Sequence, residues 1–165
     1  MTNFEQEIKM VHLSAMSANV RTRHRAAENP LCPEDDLLRL ADDADWYVQV
    51  GVAENLAAPV GLLKYLFKKK NQHAEVRRAV AKNSKCPREI MDEIVNDSEW
   101  TVRQGLALNQ ECPTEILAEL SQDKDWEVRR TVARNPNTSK ATLGIMKKDP
   151  DKLVATTAKN VLQNM

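Results

Sequence analysis

The strongest constraint on this chain is a register that repeats. Asp45-Trp46-Tyr47-Val48-Gln49, Glu99-Trp100-Thr101-Val102-Arg103 and Asp125-Trp126-Glu127-Val128-Arg129 are copies of one phrase, with a degenerate copy, Ala74-Glu75-Val76-Arg77, between the first two. Their valines step by 28, 26 and 26 residues. Five residues after each valine stands Ala53, Ala81, Ala107 or Ala133, and seven after it Asn55, Asn83, Asn109 or Asn135. The frame extends backward through Thr22-Arg23, Ala27 and Asn29, and forward to Val154, with Asn160 displaced by one. A fixed period of this length marks a stacked-repeat architecture, because one supersecondary unit cannot bury its apolar face alone and its neighbours must cover it.

Within the period two helices are legible. Cys32-Pro33, Ala58-Pro59, Cys86-Pro87 and Cys112-Pro113, with Thr138-Ser139 as the variant copy, follow the asparagines. Proline there reads as the first helical residue, where its missing N–H costs nothing and its fixed φ suits the turn. Leu40, Leu66, Ile94, Leu120 and Met146, preceded by Leu37, Leu63, Met91, Leu117 and Leu143, make one helical stripe. Acidic linkers such as Asp42-Asp43-Ala44-Asp45 and Gln122-Asp123-Lys124-Asp125 supply acceptors for the free N–H groups of the next helix. That second helix presents Val48 and Val52, Val76 and Val80, Val102 and Leu106, or Val128 and Val132, and ends near the asparagine, a residue that tolerates the left-handed region. Few glycines and abundant Ala, Leu, Glu, Lys and Arg agree with helix throughout.

The expected fold is therefore all-α: an α-α superhelix, or solenoid, of about five ~26-residue helix-turn-helix repeats. We read 1–165 as a single repeat domain, with 1–19 an N-terminal capping helix, 20–150 the repeats and 151–165 a C-terminal capping helix. Phe4, Ile8, Val11 and Met16 form the face expected to cover the first repeat, and Val154, Val161 and Leu162 belong to the closing helix.

The assembled consensus, an acidic turn, Trp-x-Val-Arg, Ala-x-Asn-Pro, then Thr or Cys before a Leu-rich helix, resembles the bacterial leucine-rich-repeat-variant family. Asp125-Trp126-Glu127-Val128-Arg129 with Asn135-Pro136-Asn137-Thr138 carries the resemblance most fully, and the pattern is similar to HEAT repeats over roughly residues 20–163. The resemblance implies a helical scaffold in which one helix of a pair can be of the tighter 3₁₀ type. Some members hold an iron–sulfur cluster on clustered cysteines in a separate N-terminal segment. This chain has no such cluster of cysteines, so no cofactor and no metal is expected from the resemblance.

Charge narrows the function classes. Lys plus Arg and Asp plus Glu both number 24, so no overall field gathers nucleic acid or an anionic membrane. MTNFEQEIKM lacks the cationic start and apolar core of a secretory leader, and no run of about 18 apolar residues follows, so a soluble cytoplasmic protein is expected. Cys32, Cys86 and Cys112 fit neither a disulfide framework nor a zinc pattern; they read as weak helix caps with small packing side chains, in the place where Thr138 would cap.

Four features stand out as candidates for binding. Arg23, Arg77, Arg103 and Arg129 share one repeat position with Gln49, a ladder able to read phosphate or carboxylate, although Asp43, Asp97 and Asp123 offer partners within or between repeats and structural pairing is the favoured reading. Trp46, Trp100 and Trp126 recur at the start of the second helix, which suits a shared packing role between repeats or an aromatic anchor for a peptide. The irregular repeat, residues 56–83, is two residues longer than its neighbours and replaces the acidic turn with Lys68-Lys69-Lys70-Asn71-Gln72-His73, which reads as a basic insertion loop. Arg21, Arg23, His24, Arg25, Arg77 and Arg78 add positive charge to that half.

No catalytic constellation appears: His12, His24 and His73 stand in unrelated contexts, no glycine-rich phosphate loop exists, and no carboxylate in an aromatic cradle is legible. The expected function is a non-enzymatic scaffold for a protein partner, contacted through Arg23, Gln49, Arg77, Arg103, Arg129 and Lys68, Lys69, Lys70, with no small-molecule substrate. The alternative is nucleic-acid binding by the basic N-terminal half in the manner of HEAT-like DNA-binding proteins, against which stand the balanced charge and the absence of a stacking platform among the basic residues.

Overall fold

Short helices of alternating length build the chain, and the sequence dictates where each begins. The computed structural model describes residues 2–69 and 72–165, and among these it places twelve α-helices and no strand. They are α1 Asn3–Ala15, α2 Val20–Glu28, α3 Glu34–Leu40, α4 Trp46–Glu54, α5 Val60–Lys68, α6 Ala74–Lys82, α7 Arg88–Ile94, α8 Trp100–Leu108, α9 Thr114–Leu120, α10 Trp126–Arg134, α11 Lys140–Met146 and α12 Lys152–Gln163. Every one is α; the 3₁₀ elements implied by the resemblance are absent from the described residues. The chain divides into two compact units, Met1–Pro87 and Arg88–Met165.

The odd-numbered helix of each repeat starts one residue later than the prolines imply. Pro33, Pro59 and Pro113 sit at the N-cap with extended ψ near 145° and no side-chain cap, and the helix begins after them. In the variant copy the cap is Ser139, whose hydroxyl accepts from the Thr142 N–H. Thr138 is not the cap: it is buried and donates its hydroxyl to the Val132 carbonyl at 2.6 Å. The even-numbered helices α4, α10 and α12 open as the acidic linkers require, with Asp45 accepting from Tyr47, Asp125 from Glu127 and Asp151 from Leu153, whereas Glu99 before α8 makes no side-chain cap.

Both stripes go inward as their periodicity demands. Leu37, Leu40, Leu63, Leu66, Ile94, Leu117, Leu120 and Leu143 are buried, as are Val48, Val52, Val76, Val80, Val102, Leu106, Val128, Val132 and Val154. In the first unit α2, α4 and α6 lie side by side, and in the second α8, α10 and α12 do. The tightest approach is α4 on α2, made possible by Gly51: a Cβ there would stand 2.8 Å from the His24 carbonyl oxygen and 2.9 Å from its Nδ1.

The asparagines at the ends of these helices do something other than expected. All five C-caps from Asn29 to Asn135 that were read from the frame keep negative φ with ψ between 117° and 129°, so none adopts the left-handed region. The side chain instead bridges repeats. Asn55 Nδ2 donates to the Ala27 and Asn29 carbonyls of the preceding repeat at 2.6 and 2.8 Å, while its Oδ1 accepts the Ala57 N–H at 2.7 Å. Asn83 reaches the Ala53 and Asn55 carbonyls, and Asn135 the Ala107 and Asn109 carbonyls, in the same way. Each amide thus satisfies carbonyls that the end of a helix leaves open.

The N-terminal helix packs less than expected. α1 is capped by a reciprocal pair between Thr2 and Glu5, but Ala15 is its one buried residue, and Phe4 and Met16 of the anticipated covering face are 58% and 63% exposed. The two extra residues of the irregular repeat also behave differently: α5 has nine residues where α3, α7, α9 and α11 have seven, so the insertion lengthens a helix as far as Lys68 instead of forming only a loop.

Replacing Asn135 by Asp keeps the volume but turns a donor facing two buried carbonyls into a third acceptor. We expect a loss of about 2–4 kcal/mol in urea unfolding, from unsatisfied buried groups at roughly 1–3 kcal/mol each. A loss under about 0.5 kcal/mol would mean the amide bridges carry no load.

Candidate functional site

The repeated arginines are held by their own chain. In the second unit, Arg103 Nε and Nη2 donate to the two carboxylate oxygens of Asp123 at 2.6 and 2.8 Å, and Nη1 donates to the Asp97 carbonyl at 2.7 Å. Arg129 repeats this one period later, paired with Asp149 at 2.7 and 2.9 Å and donating to the Asp123 carbonyl at 2.8 Å. In the first unit Arg23 pairs with Asp43 at 2.6 and 3.0 Å and donates to the Ser17 carbonyl. Gln49, in the same frame, donates to the Asp43 carbonyl at 2.7 Å and accepts from Gln72. Arg77 donates to the Gln72 carbonyl at 2.7 Å.

The geometry corrects one detail of the sequence reading. The aspartate six residues before each arginine gives its backbone carbonyl, and the carboxylate comes from the following repeat, 20 residues ahead. Each such aspartate also accepts the N–H two residues on, as Asp123 does from Asp125 at 2.8 Å. One residue therefore shapes the turn, receives the previous arginine and anchors the next. Burial raises the Asp43, Asp123 and Asp149 carboxyls, but the fork of the facing arginine and the backbone N–H outweigh it, leaving all three below the ordinary carboxylate range. Side chains of Arg103 and Asp123 are only 4% and 5% exposed, so this ladder is part of the interior and not a displayed surface.

The basic insertion is partly spent as well. Lys69 Nζ donates to the Ala41 carbonyl and to Asp42 at 3.2 and 3.0 Å, and Asp42 also receives the Tyr65 hydroxyl. Those two hydrogen bonds draw the Asp42 carboxyl down. Lys68 ends α5, and Lys70 lies outside the described residues.

A further stripe starts with the first residue of each even-numbered helix and recurs every four, and all of it but the buried His24 is at least partly exposed. It reads Val20, His24, Glu28 on α2; Trp46, Val50, Glu54 on α4; Ala74, Arg78, Lys82 on α6; Trp100, Gln104, Leu108 on α8; Trp126, Arg130, Arg134 on α10. Trp46, Trp100 and Trp126 are 41%, 36% and 36% exposed, so each is partly packed and partly displayed. Leu108 is also exposed, and the Nε atoms of Arg78 and Arg130 are covered without an acceptor. This stripe was not legible from the tryptophans alone; the signal that finds it is i, i+4, i+8 spacing counted from each of them.

In the first unit the stripe carries an aromatic cluster. His24 stacks on Tyr47 with centroids 3.8 Å apart, Tyr47 meets Trp46 edge-on at 6.0 Å, and Trp46 stacks on His73 at 4.5 Å. His24 and His73, unrelated in sequence, thus belong to one group of rings. The cysteines lie elsewhere, in the interior. Burial pushes the Cys32 thiol up to about 11 and Cys112 up to about 12, and both Cys86 and Cys112 donate weakly to the following proline carbonyl instead of capping a helix.

This geometry defines a helical-repeat protein whose repeats are linked side chain to backbone, and comparison with known proteins agrees. The model of the leucine rich repeat variant family matches residues 126–151, which is one repeat from the start of α10 to the turn after α11. No curated protein matches the chain. Among solved structures, one engineered protein from the Northeast Structural Genomics Consortium is similar over 99% of this chain and 98% of its own, at 16% identity and a TM-score of 0.55. A second engineered protein from the same source is 16% identical over 99% of this chain and 96% of that one, with a TM-score of 0.49. At that identity the first likeness shows an all-helical repeat fold and nothing about a ligand.

Two outcomes are expected. Because the three aspartates titrate lower in the folded chain than in the unfolded one, their stabilisation is complete above an unfolded value of about 3.9 and is lost as pH falls below it, so the urea midpoint should drop steeply between about pH 5 and pH 3. Asp123→Asn should be less stable at pH 7 and show a flatter acid limb. Thiol labelling at pH 8 should modify none of Cys32, Cys86 and Cys112 in the native chain within minutes, and all three in urea.

Proposed function

We propose that this chain is a non-enzymatic helical-repeat scaffold that binds a protein partner along the displayed stripe of its even-numbered helices. The observation that carries the reading is the half-exposed tryptophan at the head of α4, α8 and α10. Half-buried tryptophans are rigid, amphipathic anchors of the kind that dominate binding energies at protein interfaces. On α10 the anchor is followed at four and eight residues by Arg130 and Arg134. The guanidinium charges of Arg130 and Arg134, which make no ion pair among the described residues, suit carboxylates supplied by a partner. The partner surface for α8 and α10 is accordingly an apolar segment flanked by acidic groups.

The contacts anticipated from the arginine ladder move accordingly. Arg23, Gln49, Arg103 and Arg129 are engaged within the repeats, so the contact residues of this proposal are Trp100, Trp126, Leu108 and Arg130, all in the second unit. No helix among the described residues is long and apolar enough to cross a membrane, and a cytoplasmic scaffold is the setting that buried cysteine thiols favour.

Capture from bacterial lysate, with and without nuclease, tests the reading. We expect one defined protein to be retained in both arms, and Trp126→Ala with Arg130→Ala to weaken its binding at least ten-fold while leaving the circular dichroism and urea midpoint within about 0.5 kcal/mol of the parent. Retention that vanishes with nuclease, or is indifferent to both substitutions, contradicts it.

A further inference from the structure

The C-terminal ends of α2 and α4 carry a placement of charge that the other even-numbered helices avoid. At the last position of the even-numbered helices α6 and α10 stand Lys82 and Arg134, cations at the negative end of the helix dipole, where they are stabilised. The same position holds Glu28 on α2 and Glu54 on α4, two adjacent anions each at the end that disfavours them. Glu54 makes no ion pair among the described residues, and the one cationic candidate near Glu28 is His24.

His24 is itself fixed in a telling way. Its side chain is 9% exposed, stacked on Tyr47, and pressed against α4 where Gly51 leaves room for the ring. Nδ1 lies 2.7 Å from the Tyr47 carbonyl oxygen, which can only accept, so Nδ1 carries the proton. In the neutral ring Nε2 then presents a lone pair, and it is aimed at carboxylate oxygens of Glu28 and Glu54 that also can only accept. With the ring neutral, three acceptors converge with no donor among them, whereas an imidazolium would donate to Glu28. The ligand atoms of His24, Glu28 and Glu54 all lie within 4.8 Å of one another.

The spacing fits a cation better than a hydrogen bond. His24 Nε2 stands 3.4 Å from Glu28 Oε2, well beyond the roughly 2.7–2.9 Å of a charge-assisted N–H···O contact. Two ligands at the zinc distances of about 2.0–2.2 Å, set at the tetrahedral angle, are about 3.4 Å apart. The carbonyl on Nδ1 is the outer partner that metal-bound histidines commonly have, holding tautomer and ring orientation.

We propose that His24, Glu28 and Glu54 bind one divalent transition-metal ion of the zinc class, with His24 Nε2 as the nitrogen ligand, a carboxylate from each helix, and a fourth position open to water or an external carboxylate. One nitrogen and two carboxylate oxygens suit Zn²⁺ and Co²⁺ over Mg²⁺, which favours oxygen and retains its waters. The ion would tie α2 to α4 and neutralise the two misplaced anions.

Titration calorimetry of the full-length protein with Zn²⁺ at pH 7.4, paired with Co²⁺ absorption spectra, tests this. We expect one ion per chain, a thermal midpoint raised by Zn²⁺, a Co²⁺ spectrum without thiolate charge-transfer bands, and affinity reduced at least ten-fold in Glu54→Gln and in Glu28→Gln. Both glutamates are exposed at helix ends, so these variants keep the fold, and circular dichroism verifies it. Absent binding, thiolate bands, or affinity unchanged in both variants overturns the proposal; unchanged affinity would point to the contact of His12 with Asp36 as the place an ion is held.

Discussion

Everything in this protein depends on hydrogen bonds that reach from one repeat to the next. A helix of seven residues followed by one of nine is too short to be stable by itself in water, since the nucleation cost is never recovered within two turns. Apolar burial of valine and leucine stripes supplies the driving force, but it is non-directional and does not set how far one pair slides along another. The asparagine amides and the arginine–aspartate forks do. Each has a fixed shape, each finds its partner at one separation, and each is buried enough that a slipped register would leave donors and acceptors unpaired at a cost of about 1–3 kcal/mol apiece.

The same economy of residues explains the near-invariant phrase in each copy. Asp123 is turn-former through its contact with the Asp125 N–H, acceptor of the preceding Arg103, and carbonyl anchor of the following Arg129. Where the frame changes, the function of the position persists: Gln49 replaces the arginine, keeps the bond to the Asp43 carbonyl, and turns its other end toward Gln72. The stripe on the outside is free of these duties, and there the residues vary from Trp46 and Glu54 to Trp126 and Arg134. Variation on a constant frame is what a scaffold with a specialised face requires.

Most of the fold was legible in the sequence because the period, the stripes and the caps are local patterns. Leu117 and Leu120 or Val128 and Val132 declare themselves by spacing alone. The site was much less legible. Asn135 recurs visibly, yet its role lies in carbonyls 26 and 28 residues away, which no local propensity encodes. Arg103 has acidic candidates both before and after it in the chain, and only the stacking decides that the carboxylate comes from Asp123 while Asp97 offers its backbone. The tryptophans are ambiguous in sequence because their regular recurrence suits packing and display alike, and in the fold each keeps over a third of its surface exposed. His24 and Glu54 are joined only by the contact of α2 with α4, which Gly51 permits.

The central claim, that polar bridges between repeats hold the stack in register, is tested most directly by a double-mutant cycle on Arg103 and Asp123, with Ala at each and at both, followed by urea unfolding at pH 7. The two residues share a bidentate, nearly fully buried contact between successive repeats. The account predicts single losses of about 3–5 kcal/mol and a coupling energy of at least about 2 kcal/mol, because each single variant strands the other's charge. Additive losses, with coupling near zero, would mean that apolar packing alone sets the register and would contradict it.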